Sequence, residues 1–192
     1  MGDFGALVEV LEQGGVIACP TETWLGLLAD ARNPAAIEKV AELKGRPASM
    51  PIALLLPRAD AIEEVAEPPS EKARALLAAY WPGPLTLVVP ARPHLDSRLT
   101  RDGTVGVRVP GPSPAAELTR AFGHALTATS ANLTGEPPLR SVDELSGSLA
   151  AGVDGAVPGL CPGGAPSTFV DTTTTPMTIL RAGAIDIDPT AL

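Results

Sequence analysis

Apolar residues recur at two periods along the chain, and the alternation between them lays out the elements. Phe4, Leu7, Val8 and Leu11 fall at helical spacing, with Asp3 placed to cap that helix and Gly14 and Gly15 to stop it. The run VIACP (16–20) reads as a short buried strand ending at a proline. A second helix opens with Asn33 as cap and Pro34 in its first turn. Ile37, Val40, Ala41 and Leu43 form its inner face, and Gly45 ends it. IALLLP (52–57) is a second buried strand, and Ser70 caps a helix through SEKARALLAAYW. After the WPGP turn, LTLVVP (85–90) reads as a strand.

In TVGVRVP (104–110) the residues alternate strictly, with Val105, Val107 and Val109 on one face and Thr104, Gly106 and Arg108 on the other. Ser113 and Pro114 open a further helix, and ALTATS (125–130) returns as a strand. SVDELSGSLAAG reads as one short helix, with Ser141 as cap and Glu144 three residues on. STFVDTT and MTILRAG close the chain as strands. Interleaved helices and strands predict an α/β fold. Sequential alternation favours parallel neighbours, and the strand-rich last third predicts antiparallel members, so the sheet is expected to be mixed. With no internal repeat and no low-complexity linker, residues 1–192 are expected to form a single domain.

Composition narrows the function. The chain is 45% hydrophobic and 3% aromatic, so its core must be built from aliphatic residues and alanine. Its net charge of -8 disfavours a general binder of nucleic acids or anionic membranes, and makes any cationic pocket stand out. Cys19 and Cys161 could form one disulfide but do not make a secreted framework. His94 and His124 read as surface residues, and no metal-ligand spacing is present. The first residues carry acids where a signal peptide carries cations, and no apolar run reaches membrane-spanning length, so a cytoplasmic protein is expected.

The candidate chemistry lies where elements end. Lys44 and Arg46 are two positions apart after a helix, and Ser130 and Asn132 are two apart after a strand. On extended backbone such pairs point the same way, and Lys with Arg suits phosphate or carboxylate oxygens. Cations at a helix C-terminus are equally at home as partners of its dipole. Thr21 and Thr23 follow a buried strand and could line a pocket mouth, with Glu22 pointing the other way, although a plain turn reads the same. Arg108, on a strand, requires an anion, which is either a structural acid or a substrate carboxylate. Ser167 opens a strand after a glycine-rich turn, and Arg181 follows MTIL. P-loop, GxGxxG and GxSxG patterns are absent.

Assembled in order, VIACPTETWLGLLADA, LKGRP, WPGPLTLVVP, TVGVRVP, TATSANLTGEPP, PSTFVD and ILRAG resemble the Sua5/YrdC/TsaC family of L-threonylcarbamoyladenylate synthases over most of the chain. The resemblance implies a twisted sheet with flanking helices around a large open cavity. It also implies a reaction in which ATP, L-threonine and bicarbonate give threonylcarbamoyl-AMP and pyrophosphate. The product would pass to the machinery that modifies adenosine 37 of tRNA. Carried over by position, Lys44, Arg46, Ser130 and Asn132 are the catalytic tetrad that faces the phosphates. Thr104 and Arg181 are further ATP contacts, while Thr23, Arg108, Ala128 and Ser167 belong to the threonine pocket. Magnesium is expected on the ATP phosphates rather than on a protein cluster.

The chain departs from the family pattern at Trp24, Leu25, Leu28, Met50 and Leu55, around the implied pocket. It ends soon after ILRAG, so the short form without the extra C-terminal domain is expected. Two other functions compete: a paralogue that binds ATP but acts on another amine or acyl group, and an RNA-binding module, which the charge opposes.

Overall fold

The computed structural model describes residues 4–188. Asp3, the expected cap of the first helix, lies outside the described residues. Ten strands make one twisted sheet, in the order β10-β9-β4-β6-β3-β7-β2-β1-β8, with β5 paired to β6. They are β1 (Ile17–Pro20), β2 (Leu25–Leu28), β3 (Ala53–Leu55), β4 (Leu85–Pro90), β5 (Thr100–Arg101), β6 (Thr104–Arg108), β7 (Leu126–Ser130), β8 (Gly155–Ala156), β9 (Thr168–Asp171) and β10 (Thr178–Arg181). The helices are α1 (Gly5–Glu12), α2 (Pro34–Leu43), α3 (Ile62–Val65), α4 (Glu71–Tyr80), α5 (Pro114–Phe122) and α6 (Gly147–Gly152). The mixed α/β fold is as expected.

Three caps form as the sequence implied. Asn33 accepts from the Ala35 and Ala36 amides, Ser70 from Ala73, and Ser113 from Ala116. The segment from Ser141 to Gly152, expected as one helix, is two pieces. A 3-10 turn with a capping box covers Val142–Glu144, and α6 begins only at Gly147, whose φ is +54°. A left-handed residue cannot sit inside a continuous right-handed helix, which separates the two.

Strand pairing also departs from expectation. Antiparallel pairs are not confined to the last third: β1 pairs antiparallel with β2, β2 with β7, and β3 with β7. Among the described residues, parallel pairing is limited to β1–β8, β3–β6 and β4–β9. The four-residue reversal from β1 into β2 explains the first of these antiparallel pairs, because a short connection joins only antiparallel neighbours.

Alternation along the strands sorts the two faces of the sheet. Leu85, Leu87, Val89, Val105, Val107 and Val170 enter one large aliphatic core beneath α2 and α4. The opposite face is covered at one end by α1 and α5, which pack over Ile17, Cys19, Leu28, Leu55 and Leu126. The rest of that face stays open. There the outward positions are Thr86, Gly106, Arg108 and Ala128, small or polar types, with the Phe169 ring among them, and they build a floor rather than a core. Gly106 has a steric reason: a Cβ there would stand 3.3 Å from the Ala53 Cβ and 3.5 Å from both Phe169 and Thr86.

Both cysteines are buried and free, so no disulfide forms between them, and burial pushes the Cys19 thiol up. His94 is exposed, whereas His124 is half-buried and meets the Phe122 ring edge-on at 5.9 Å. Among the described residues, no helix is long and apolar enough to cross a membrane.

Candidate active site

The open part of the sheet holds a cavity of about 680 Å³, within the range of small-molecule sites. Its wall carries Arg46, Arg101, Arg108 and Arg181 against a single acid, Glu136. In a chain of net charge -8, this is a local excess of cations: among the described residues Arg46 and Arg181 have no acid beside them, while Arg108 is backed by Glu22 and Arg101 by Asp102. Burial lowers the pKa of Arg46, Arg108 and Arg181, and for Arg181 the positive charge of Arg108 adds to it, as expected for converging cations.

Lys44 and Arg46 reach this region from different sides. The backbone between them is not extended, contrary to the sequence reading. Gly45, at φ +55°, ends α2 in a Schellman motif: its amide donates to the Glu42 carbonyl at 3.0 Å, and the Arg46 amide to the Ala41 carbonyl at 2.9 Å. Lys44 is 3% exposed and does not line the cavity. Its ammonium donates to the Ser130 carbonyl, to the Asn132 carbonyl at 2.7 Å and to Asn132 Oδ1 at 3.4 Å. It clamps the turn after β7 from beneath. Burial, and secondarily the charge of Arg46, pushes its pKa down to about 8, while the oxygen cage favours the ammonium.

Arg46 does stand on the cavity wall. Its Nε donates to the Met50 carbonyl at 2.8 Å and Nη2 to the Pro51 carbonyl at 2.7 Å, which fixes the guanidinium plane. Ser130 donates to Asn132 Oδ1, and Asn132 Nδ2 donates to the Leu133 and Glu136 carbonyls at 2.9 and 2.7 Å. Both residues line the cavity as a preformed turn. The four expected residues are therefore brought together, three on the wall and Lys44 behind it.

Arg108 has a structural partner. Its Nη1 donates to Glu22 Oε1 at 2.9 Å, with side chains 8% and 13% exposed. Glu22 points away from the cavity, as expected, but lies behind Arg108 as its counter-ion. Its second oxygen, Oε2, is buried without a protein partner. Arg108 itself lines the cavity, so one edge of its guanidinium is held by Glu22 while the side chain still faces the open space.

Thr23 and Thr21 both line the cavity, with their hydroxyls 3.1 Å apart. Ala128, from β7, contributes a small wall position. Arg181 grips Ser167 through Nε and Nη2 to its carbonyl at 3.0 and 2.8 Å, and through Nη2 to its Oγ at 3.0 Å. The guanidinium also stacks on Phe169, 4.4 Å from the ring centroid.

Thr104, expected to contact the nucleotide, does not line the cavity. Its hydroxyl donates to the Arg101 carbonyl at 2.7 Å, stapling the Asp102–Gly103 hairpin. Arg101, which precedes that turn, lines the cavity in its place. The sequence reading missed Arg101 and Thr86. Alternation alone could have found Thr86, which lies opposite Leu85 and Leu87 on β4. Trp24, Leu25, Leu28, Met50 and Leu55, all five departures from the family pattern, also lie on the wall.

Comparison with known proteins follows the same outline. A family model covering Sua5, YciO and YrdC proteins, described as "Telomere recombination", matches residues 9–183. The threonylcarbamoyl-AMP synthase of Bacillus subtilis is 36% identical over 182 residues, which are 92% of this chain and 52% of that protein. The Idiomarina loihiensis protein of the same name is 40% identical over 144 residues, 73% of this chain and 77% of its own length. The crystal structure of P. abyssi Sua5 in complex with L-threonine superposes with a TM-score of 0.86 at 31% identity, over 94% of this chain and 54% of that one. The chain thus spans about half the length of its B. subtilis and P. abyssi relatives.

Proposed function

The chain belongs to the Sua5/YciO/YrdC family, and from that premise we propose that it is a threonylcarbamoyl-AMP synthase. ATP, L-threonine and bicarbonate are its substrates, and threonylcarbamoyl-AMP and pyrophosphate its products. The adenylate then serves the machinery that modifies adenosine 37 of tRNA. One observation carries the reading: four arginines converge on a cavity of about 680 Å³ in a strongly acidic chain. Such a cavity has room for a nucleotide beside a small amino acid, and its charge matches a triphosphate and a carboxylate.

Arg108 takes the amino acid's carboxylate, with Thr23, Ala128 and Ser167 around the side chain. Arg46, Ser130 and Asn132 hold the phosphates, the last two by exchanging their present acceptors (Asn132 Oδ1 and the Leu133 and Glu136 carbonyls) for phosphate oxygens, with Arg181 and Arg101 at the nucleotide's flank. Lys44 acts through the turn it clamps. The threonine amine adds to CO2 derived from bicarbonate, forming a carbamate and releasing a proton. A carbamate oxygen then forms a bond to the α-phosphorus as the bond to pyrophosphate breaks. Negative charge spreads over the transferring phosphoryl oxygens, where fixed guanidinium and amide donors stabilise it. Magnesium arrives as the ATP complex. Among the residues lining the cavity only Glu136 is a carboxylate, which suits a metal carried mainly by phosphate oxygens.

The test is pyrophosphate release and mass spectrometry of the nucleotide product, with threonine, bicarbonate or ATP omitted in turn. Threonylcarbamoyl-AMP that requires all three supports the proposal. Pyrophosphate release indifferent to threonine overturns it, and a different acyl-adenylate from a mixture of amino acids identifies a paralogue.

A further inference from the structure

Two hydroxyls on the cavity wall have their hydrogen-bond polarity fixed by neighbours. Ser167 Oγ accepts from Arg181 Nη2 at 3.0 Å and from Thr86 Oγ1 at 3.1 Å. A hydroxyl oxygen has two lone pairs and one proton. Both lone pairs are filled, so what Ser167 can offer a ligand is its proton. Thr86 is 2% exposed and sits on β4 in register with Phe169 of β9, next to Ser167.

Thr23 is set the other way. Thr21 Oγ1 lies 2.7 Å from the Trp24 carbonyl oxygen. A carbonyl has no proton, and two oxygens at that distance repel unless a proton lies between them, so Thr21 donates there. Its lone pairs meet the Thr23 and Trp24 amides, each at 3.1 Å. Thr21 therefore has no proton left for Thr23. Across the 3.1 Å contact between the two hydroxyls Thr23 is therefore the donor, sharing the lone-pair side of Thr21 Oγ1 with the two amides, and the Thr23 oxygen keeps its accepting capacity for the cavity.

We infer that the buried threonines Thr21 and Thr86 are positioning residues that give the amino-acid pocket opposite polarity on two sides, an acceptor at Thr23 and a donor at Ser167. Such a pocket is built for a β-hydroxy-α-amino acid, whose hydroxyl donates to the first and accepts from the second. This rests on the proposed function and adds residues that touch no reacting atom. Valine, the isostere without a hydroxyl, leaves both wall groups unpaired, which discriminates strongly.

The experiment titrates threonine and valine into the protein with a non-hydrolysable ATP analogue present, by calorimetry, and measures adenylate formation in parallel. Thr86→Val keeps the shape and removes the donor to Ser167. Its preference for threonine over valine is expected to fall about tenfold, the worth of roughly one hydrogen bond, with ATP affinity unchanged. Thr86→Ser restores the donor and the preference, and Thr21→Ser likewise retains it. Full preference in Thr86→Val overturns the inference. So does a loss of threonine and ATP affinity alike that serine does not rescue, which marks a purely structural role. Equal binding of threonine and valine by the unaltered protein also overturns it. Preferential threonine binding without any adenylate product would sink the synthase reading and leave the pocket polarity standing.

Discussion

Replacing Glu22 by glutamine isolates the electrostatics of the pocket. The substitution keeps an oxygen acceptor for Arg108 and removes the charge. Two unit charges 2.9 Å apart attract by about 6 kcal/mol at an effective dielectric constant near 20, and desolvation offsets part of this. Removing one partner of a buried pair costs about 3–5 kcal/mol, because the other charge is left uncompensated. At the lower figure, a chain of 192 residues loses roughly 6–12 °C in melting temperature. Glu22 Oε2 has no protein partner, so no other hydrogen bond is broken.

Arg108 in the variant then lacks an anion that a substrate carboxylate can supply. Threonine at saturation should therefore raise the melting temperature of Glu22→Gln by several degrees more than that of the unaltered protein. Threoninamide, which has the hydroxyl but no carboxylate, should give no extra shift. Differential scanning fluorimetry with both compounds reads this directly. Equal threonine shifts in the two proteins, or an equal extra shift with threoninamide, would refute the placement of the carboxylate on Arg108.

Other perturbations address the phosphate side. Arg46→Ala removes a fixed guanidinium from the wall and should weaken ATP binding by about 1.5–3 kcal/mol, with a smaller effect on threonine; fluorescence titration with each substrate gives the comparison. Lys44→Met removes a group whose folded pKa of about 8 is below its ordinary value of 10.5. Between those pH values the unfolded chain holds a proton that the fold has released, so the unaltered protein should gain stability as pH rises from 8 to 10.5. Urea denaturation should show that rise flattened in Lys44→Met, and an identical slope would count against the shifted lysine. Gly45→Ala adds a Cβ into open space but forces alanine to φ +55°, so the loss should be about 1–2 kcal/mol and purely conformational. A larger loss with altered ATP binding would show that the turn also positions Arg46.

What the sequence determined by itself was local. Hydrophobic spacing, the capping residues Asn33, Ser70 and Ser113, and the alternation of β6 depend on near neighbours and the backbone, so helices, most strands and the isolation of Arg108 were legible. So was the gathering of Lys44, Arg46, Ser130 and Asn132, through a family resemblance carried by contiguous motifs. Tertiary structure decided the rest. Strand β2 was hidden because LGLL is buried on both faces and shows no alternation. The positive φ of Gly45 turned Lys44 under the Ser130–Asn132 turn while Arg46 went to the wall, a divergence invisible in residue spacing. Glu22 and Arg108 are 86 positions apart, and Thr86 and Ser167 are 81 apart. Thr86 meets Ser167 because the sheet order places β4 beside β9, and Glu22 meets Arg108 because the turn between β1 and β2 folds back against the end of β6; hydrogen bonds across such distances are set by topology rather than by any local pattern of side chains.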